Sequence, residues 1–246
     1  MRRAIAFLTP FGGAVVPSPG TLDWFPAVGA VIGLVVGAVW WLAARAWPPA
    51  AAAGVVLIFD VALTGYLHLD GLADAADGLL PPMAPERRLE VMRDPAVGAF
   101  GAVTLVVVLV LRFGAFASTA AAPLVVGALW CTSRAAMAVV ARCMPYAHPG
   151  GLASAFLDAG ARRGPGRGSG IGGAVVPGLV GATLALGLAI VGGAGHGVAA
   201  VGAEIIAFTA VVVFAQRRIG GFTGDVLGAA GIVGETVGLL VLAAKW

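Results

Sequence analysis

Three aspartates, Asp70, Asp74 and Asp77 in the run HLDGLADAADGL, carry the strongest chemical signal in the chain. Their i, i+4, i+7 spacing puts them on one face of a helix, each about 6 Å from the next. Alanine and leucine fill most of the positions between them, so no local cation neutralises the charge. Two carboxylates at that distance repel by roughly 2–3 kcal/mol at an effective dielectric near 20. A divalent cation removes the penalty. Hard oxygen ligands suit Mg²⁺, which takes one or two carboxylates and completes its shell with water and substrate phosphates. Two such ions clamp the attacking and leaving oxygens of a phosphoryl displacement. A solvated helix face is the plainer alternative. The direct continuation of a membrane-length apolar stretch into these residues favours the metal.

Two further clusters extend the pattern. Of the twelve acidic residues, six fall between Asp70 and Asp94. In PERRLEVMRDPAVGAFG, Pro85 suits the first turn of a short helix and Pro95 disfavours helix at Asp94. Arg87, Arg88 and Arg93 are planar, multidentate donors suited to phosphate, although arginines on a cytoplasmic loop also follow from membrane topology alone. Together with Asp94 they form a second candidate wall. The third is RRIGGFTGDVLGAAGIVGE, where glycines around Thr223 allow close approach of a ligand and Asp225 stands at the start of a span. Glu235 lies two to three turns inside that span, a depth at which charge usually marks function. Asp60, Arg112, Arg134 and Glu204 also fall in spans. Cross-bundle pairing is the expectation for Arg112 and Glu204, while Asp60 belongs to the site or to such a pair. His68 is a possible base, but it lies nearly opposite the aspartates in helical phase, and interfacial placement is the commoner fate of a helix-end histidine.

The elements that must position these residues are membrane spans. The chain of 246 residues is 60% hydrophobic and 11% charged, with a mean hydropathy of +0.99; soluble domains carry about 25% charged residues. Apolar stretches near the ~20 residues that cross a bilayer run over 25–43, 50–67, 100–122, 124–144, 171–191, 198–215 and 226–244. The expected fold is therefore an all-α polytopic bundle of about seven transmembrane helices in one membrane domain, residues 1–246. Longer loops fall near 69–99 and 145–170, the latter with a mobile Gly/Arg-rich part from Gly160. With the N-terminus cytoplasmic, Arg2, Arg3, Arg87, Arg88, Arg93, Arg142, Arg162, Arg163, Arg167, Arg217 and Arg218 lie inside. Only Arg45 and Lys245 lie outside, a strong positive-inside bias. The apolar run after Arg2 and Arg3 is too short for a signal-peptide core. Gly29, Gly33 and Gly37 repeat at the spacing that lets helices approach closely. Cys131 and Cys143, roughly 18 Å apart along one helix, cannot bridge.

HLDGLADAADGL, RRLEVMRDPAVGAFG and GGFTGDVLGA together resemble the cobalamin synthase family, adenosylcobinamide-GDP ribazoletransferase. With the hydrophobic layout the resemblance covers most of the chain. It implies a Mg²⁺-dependent multi-pass enzyme of a prokaryotic cytoplasmic membrane, acting in nucleotide-loop assembly of cobalamin biosynthesis. The substrates would be adenosylcobinamide-GDP and α-ribazole or its 5′-phosphate, the products adenosylcobalamin or its 5′-phosphate and GMP. No nucleic-acid partner is expected. The family's usual Lys-Asp-Ser reads Arg93-Asp94-Pro95 here, so the charge is kept and a hydroxyl is lost; FLTPFGGAVVPSP is also loose against the family pattern.

On this reading Asp70, Asp74 and Asp77 bind Mg²⁺, Arg87, Arg88 and Arg93 neutralise phosphate, and Asp74, Asp77 or Asp225 accepts the proton. A CDP-alcohol phosphotransferase is the nearest rival, but Ala73 precedes Asp74 where that signature has Ala-Arg, and its later Gly-x3-Asp-x3-Asp is absent. Intramembrane prenyltransferases usually carry two separated Asp-rich motifs. A transporter would place polar residues deep in several broken spans, whereas here they gather on one side.

Overall fold

Uninterrupted runs of Ala, Val, Leu and Gly, bounded by proline and charge, set the helix boundaries. The computed structural model describes residues 1–147 and 170–245. The predicted loop 145–170, with Arg162, Arg163 and Arg167, lies almost wholly outside the described residues. The helices are α1 (Arg2–Leu8), a 3₁₀ turn (Pro19–Trp24), α2 (Phe25–Ala46), α3 (Pro49–Leu63), α4 (Leu67–Leu79) and α5 (Pro85–Val91). They continue with α6 (Ala99–Ser118), α7 (Pro123–Cys143), α8 (Gly170–Ile219) and α9 (Gly224–Ala243). Proline opens α2, α3, α5 and α7 in the first turn, where a missing N–H leaves nothing unpaired. Apart from one isolated bridge between Tyr146 and Phe222, the regular structure among the described residues is helical.

Five helical stretches are long and apolar enough to cross a membrane: Gly20–Ala46, Ala99–Ser118, Pro123–Cys143, Gly172–Ile219 and Gly224–Ala243. The pair α3 and α4, bent by 87°, adds a sixth if taken as one broken span. Two of the predicted stretches, 171–191 and 198–215, fall within α8, whose 50 residues are interrupted at Ala194 (φ 43°, ψ −117°). A methyl group on Gly197 would collide with the Ala189 carbonyl. Eight residues along an unbroken helix lie about 12 Å apart, so the chain folds back on itself at Ala194.

Close packing follows the small residues. A Cβ on Gly33 would lie 2.6 Å from the Val126 carbonyl oxygen, and one on Gly37 2.5 Å from the Pro123 Cα. The Gly29–Gly33–Gly37 row thus lets α2 lie directly against α7. Away from these contacts α6 turns Val103, Val106 and Val110 outward, each more than 60% exposed. Contiguous outward apolar faces of this kind fit lipid rather than water.

The bundle interior carries charge. Asp60, Arg112, Arg134, Glu204 and Glu235 are each at most 3% exposed. Arg112 pairs with Glu235 at 2.7 Å and reaches Asp60 at 3.5 Å. Arg134 also pairs with Glu235, Ser133 donates to Glu235 at 2.7 Å, and Trp130 Nε1 donates to Asp60 at 3.1 Å. The network ties α3, α6, α7 and α9 together, and it claims Asp60 and Glu235 for the frame rather than the site. Glu204 is paired more loosely: it lies within charge range of Arg134 and Arg112, without a direct side-chain ion pair to either. Cys131 and Cys143 are free thiols, as their separation requires.

Candidate active site

The site begins at the bend between α3 and α4. Gly65 and Tyr66 both adopt φ 61°, the left-handed region that breaks a helix. Beyond it α4 runs antiparallel to the start of α9, and glycine permits the approach. A Cβ on Gly71 would lie 2.9 Å from the Asp225 Cα, and one on Gly228 3.3 Å from the His68 Cα. Asp225 is thereby brought beside Asp70 and Asp74, residues more than 150 positions away in sequence.

The α9 turn is fixed locally. Thr223, 2% exposed, caps α9: its hydroxyl accepts the Val226 N–H at 3.2 Å and donates to Asp225 Oδ2 at 3.2 Å. Just before it, Ala147 N–H donates to the Phe222 carbonyl at 2.9 Å and Phe222 N–H to the Pro145 carbonyl at 3.1 Å. These bonds fasten the end of α7 to the start of α9 and bring Tyr146 to the site.

By itself α4 has 13 residues, too short and too polar to cross a bilayer, and its acidic face is open. Asp70 is exposed, and Asp74 and Asp225 are half-buried. Partial burial, then the charges of Asp70, Asp225 and Asp77, push the Asp74 carboxyl up to about 7. Neither Asp70 nor Asp74 has an ion-pair partner among the described residues. Carboxylates of like charge held this close are the environment a bound cation relieves.

Four of the residues expected at the site make local contacts that the sequence did not announce. Both oxygens of Asp77 accept backbone N–H groups, Gly98 at 2.7 Å and Gly101 at 2.9 Å. Asp77 is 9% exposed and caps the first turn of α6, where orphan N–H groups and the helix dipole favour an anion. Both of its oxygens are thus engaged by backbone N–H groups, and no three described His, Cys, Asp or Glu side chains stand together as a ready metal cage. Arg88, 4% exposed, donates from Nη1 to the Gly78 and Leu79 carbonyls, both at 2.8 Å, and so caps the end of α4. Burial, then the nearby Arg218, lowers its pKa. Arg87 makes a surface pair with Glu90 at 2.8 Å. Asp94 accepts the Ala96 N–H at 3.0 Å within its own turn. Of the three arginines, Arg93 alone faces the site.

Arg93, Asp70, Thr223 and Asp225 share the lining of a cavity of about 260 Å³. Its other walls are Phe7, Leu22, Phe25, Met92, Met137 and Tyr146, with His68 among them. Phe7 and Phe25 stack with centroids 5.9 Å apart. Sequence reasoning missed these apolar walls because they come from separate stretches and form no motif. The only hint was the aromatic residue closing the short helix RRAIAFL. His68, although opposite the aspartates in phase, is 5% exposed and faces α9.

Similarity to known proteins agrees with this arrangement. A family model described as Cobalamin-5-phosphate synthase matches residues 2–243. A protein of Bradyrhizobium diazoefficiens named adenosylcobinamide-GDP ribazoletransferase is 38% identical over 99% of this chain and 93% of its own length. Proteins of the same name from Chlorobium phaeobacteroides and Brucella ovis are 34% and 36% identical, over 87% and 89% of this chain and 87% and 83% of their own lengths. No solved structure matches the chain. With nearly its whole length matched and the three motif clusters brought to one place, the chain belongs to the cobalamin-5-phosphate synthase family.

Proposed function

We propose that this chain is a membrane transferase joining adenosylcobinamide-GDP to α-ribazole or its 5′-phosphate, giving adenosylcobalamin or its 5′-phosphate and GMP. The observation that carries the reading is that Asp70, Asp225 and Arg93 line one cavity, with Asp74 close enough to Asp70 and Asp225 for their charges to raise its pKa. A cluster of carboxylates with a guanidinium at the same cavity suits a diphosphate with its metal.

Asp70, Asp74 and Asp225 would hold Mg²⁺, which when bound supplies charge neutralisation for the diphosphate oxygens. Arg93 would hold a phosphate oxygen. The ribazole 3′-hydroxyl attacks the phosphorus bonded to cobinamide. A P–O bond to ribazole forms, the P–O bond to GMP breaks, and the hydroxyl proton passes to Asp74 or Asp225. The reaction rests on positioning and electrostatics. Thr223 orients Asp225 through its 3.2 Å hydrogen bond.

The same reading gives seven crossings, counting α3 as one and α8 as two about Ala194, with the N-terminus and the site on the cytoplasmic side of a prokaryotic inner membrane. The distribution of arginine supports it. The test is purified, lipid-reconstituted protein given adenosylcobinamide-GDP and α-ribazole, with and without Mg²⁺. Release of GMP in step with adenosylcobalamin, abolished by EDTA and restored by Mg²⁺, is expected. Release of CMP or pyrophosphate from the corresponding alternative substrates, with no GMP, would overturn the assignment.

A further inference from the structure

We propose that the cavity beneath Asp70 and Asp225 is the slot for the aromatic base of the acceptor nucleoside, and that His68 selects that base through one hydrogen bond. The proposal rests on the transferase reading and names which substrate occupies which part of the site.

Size makes the first exclusion. At about 260 Å³ the cavity lies below the roughly 300–1,000 Å³ usual for drug-sized ligands. A corrin macrocycle does not fit, and a bicyclic base does. The walls make the second. Phe7, Phe25 and Tyr146 supply aromatic surface, and Leu22, Met92 and Met137 close the slot with apolar and sulfur-bearing side chains. A flat, apolar ring is the complement of such a surface.

The polar inventory then separates the two heterocycles available. His68 lines this cavity, is 5% exposed, and its Nδ1 has no hydrogen-bond partner among the described residues. A buried nitrogen so placed waits for a ligand atom. Guanine carries an amide, an amino group and ring acceptors, most of which would be left unpaired against Phe and Met. The benzimidazole of α-ribazole carries one ring nitrogen besides the glycosidic one, and that nitrogen is an acceptor. In the tautomer that carries its proton on Nδ1, His68 would offer that acceptor one donor. With the base seated there, its ribose emerges at the rim, where Asp225, Thr223 and Arg93 stand. That is where the attacking hydroxyl has to be.

The experiment compares α-ribazole with its indole counterpart, in which the free ring nitrogen is replaced by CH, as acceptors for the reconstituted full chain. The wild-type protein is expected to show a KM for the indole riboside roughly tenfold higher, about the worth of one hydrogen bond. H68F is expected to raise the KM for α-ribazole by a similar factor and to erase the discrimination, leaving the KM for adenosylcobinamide-GDP unchanged. H68Q, which keeps a donor, should restore part of it. Equal KM values for the two acceptors in the wild type would overturn the proposal, and this arm needs no variant to fold. So would an H68F effect on adenosylcobinamide-GDP alone. Failure to release GMP with any acceptor would instead strike the transferase reading, so the two failures are distinguishable.

Discussion

Asp77 offers the sharpest division between frame and chemistry, because its sequence position says metal ligand and its hydrogen bonds say helix cap. The perturbation is D77A. It removes acceptors for the Gly98 N–H at 2.7 Å and the Gly101 N–H at 2.9 Å. Gly98 is exposed, so water replaces that bond at a cost of about 1 kcal/mol or less, whereas Gly101 is buried and leaves an orphan donor worth about 1–3 kcal/mol. The sum, about 1–4 kcal/mol, reaches from the middle of measured N-cap losses to above their upper end. For a chain of this length each kcal/mol moves Tm by about 2–4 °C, so the expected fall is on the order of 2–16 °C. The assay is thermal denaturation of detergent-solubilised protein followed by tryptophan fluorescence, alongside the Mg²⁺ dependence of GMP release well below the transition. D77A should lower Tm while its Mg²⁺ half-saturation stays within about threefold of wild type, since Asp77 is the weakest of the charges acting on Asp74. D70N should do the reverse. An unchanged Tm with a tenfold weaker Mg²⁺ response in D77A would refute the capping argument and return Asp77 to the metal.

Protons and Mg²⁺ should compete at Asp74. Its carboxyl titrates at about 7, so it is protonated and a poor ligand below that pH and anionic above it. The Mg²⁺ half-saturation for GMP release is expected to fall as pH rises through about 7 and to lose most of that dependence in D74N. G71V should push α9 off α4, because a Cβ there already meets the Asp225 Cα at 2.9 Å; GMP release should drop at least tenfold with the helical circular dichroism retained. E235Q leaves Arg112 and Arg134 without a full counter-charge in a buried network, where breaking a pair costs about 3–5 kcal/mol. Its signature should be low yield and early thermal aggregation in detergent, whereas E235D should be milder.

Much of the frame was legible because its causes are local. Apolar length marks α2, α6, α7 and α9, proline opens several helices, and the Gly29–Gly33–Gly37 row announces a close helix contact before any partner is known. The acidic face of α4 follows from a 3.6-residue period, and the clustering of Arg and Asp names a diphosphate chemistry. The partner of each side chain is a different matter. Asp70, Asp74 and Asp77 are equivalent by period, yet only Asp77 meets the start of α6, because that helix arrives from beyond a turn whose path no local rule sets. Arg87, Arg88 and Arg93 look alike in sequence, yet one faces water, one caps α4 and one faces the cavity.

Residue types and spacing thus determined that the chain crosses a membrane and that carboxylates and arginines cluster in three short stretches between and at the ends of the spans, while five more charged side chains lie inside the bundle. Only the tertiary structure decided which of them line the cavity and which cap a neighbouring helix. The choice depends on which backbone N–H and carbonyl groups lie within 3 Å after the helices pack, a long-range fact that spacing along one helix does not contain. The apolar cavity and the orphan nitrogen of His68 belong to the same class, since a concave surface exists only once α1, α2, α4, α7 and α9 have met.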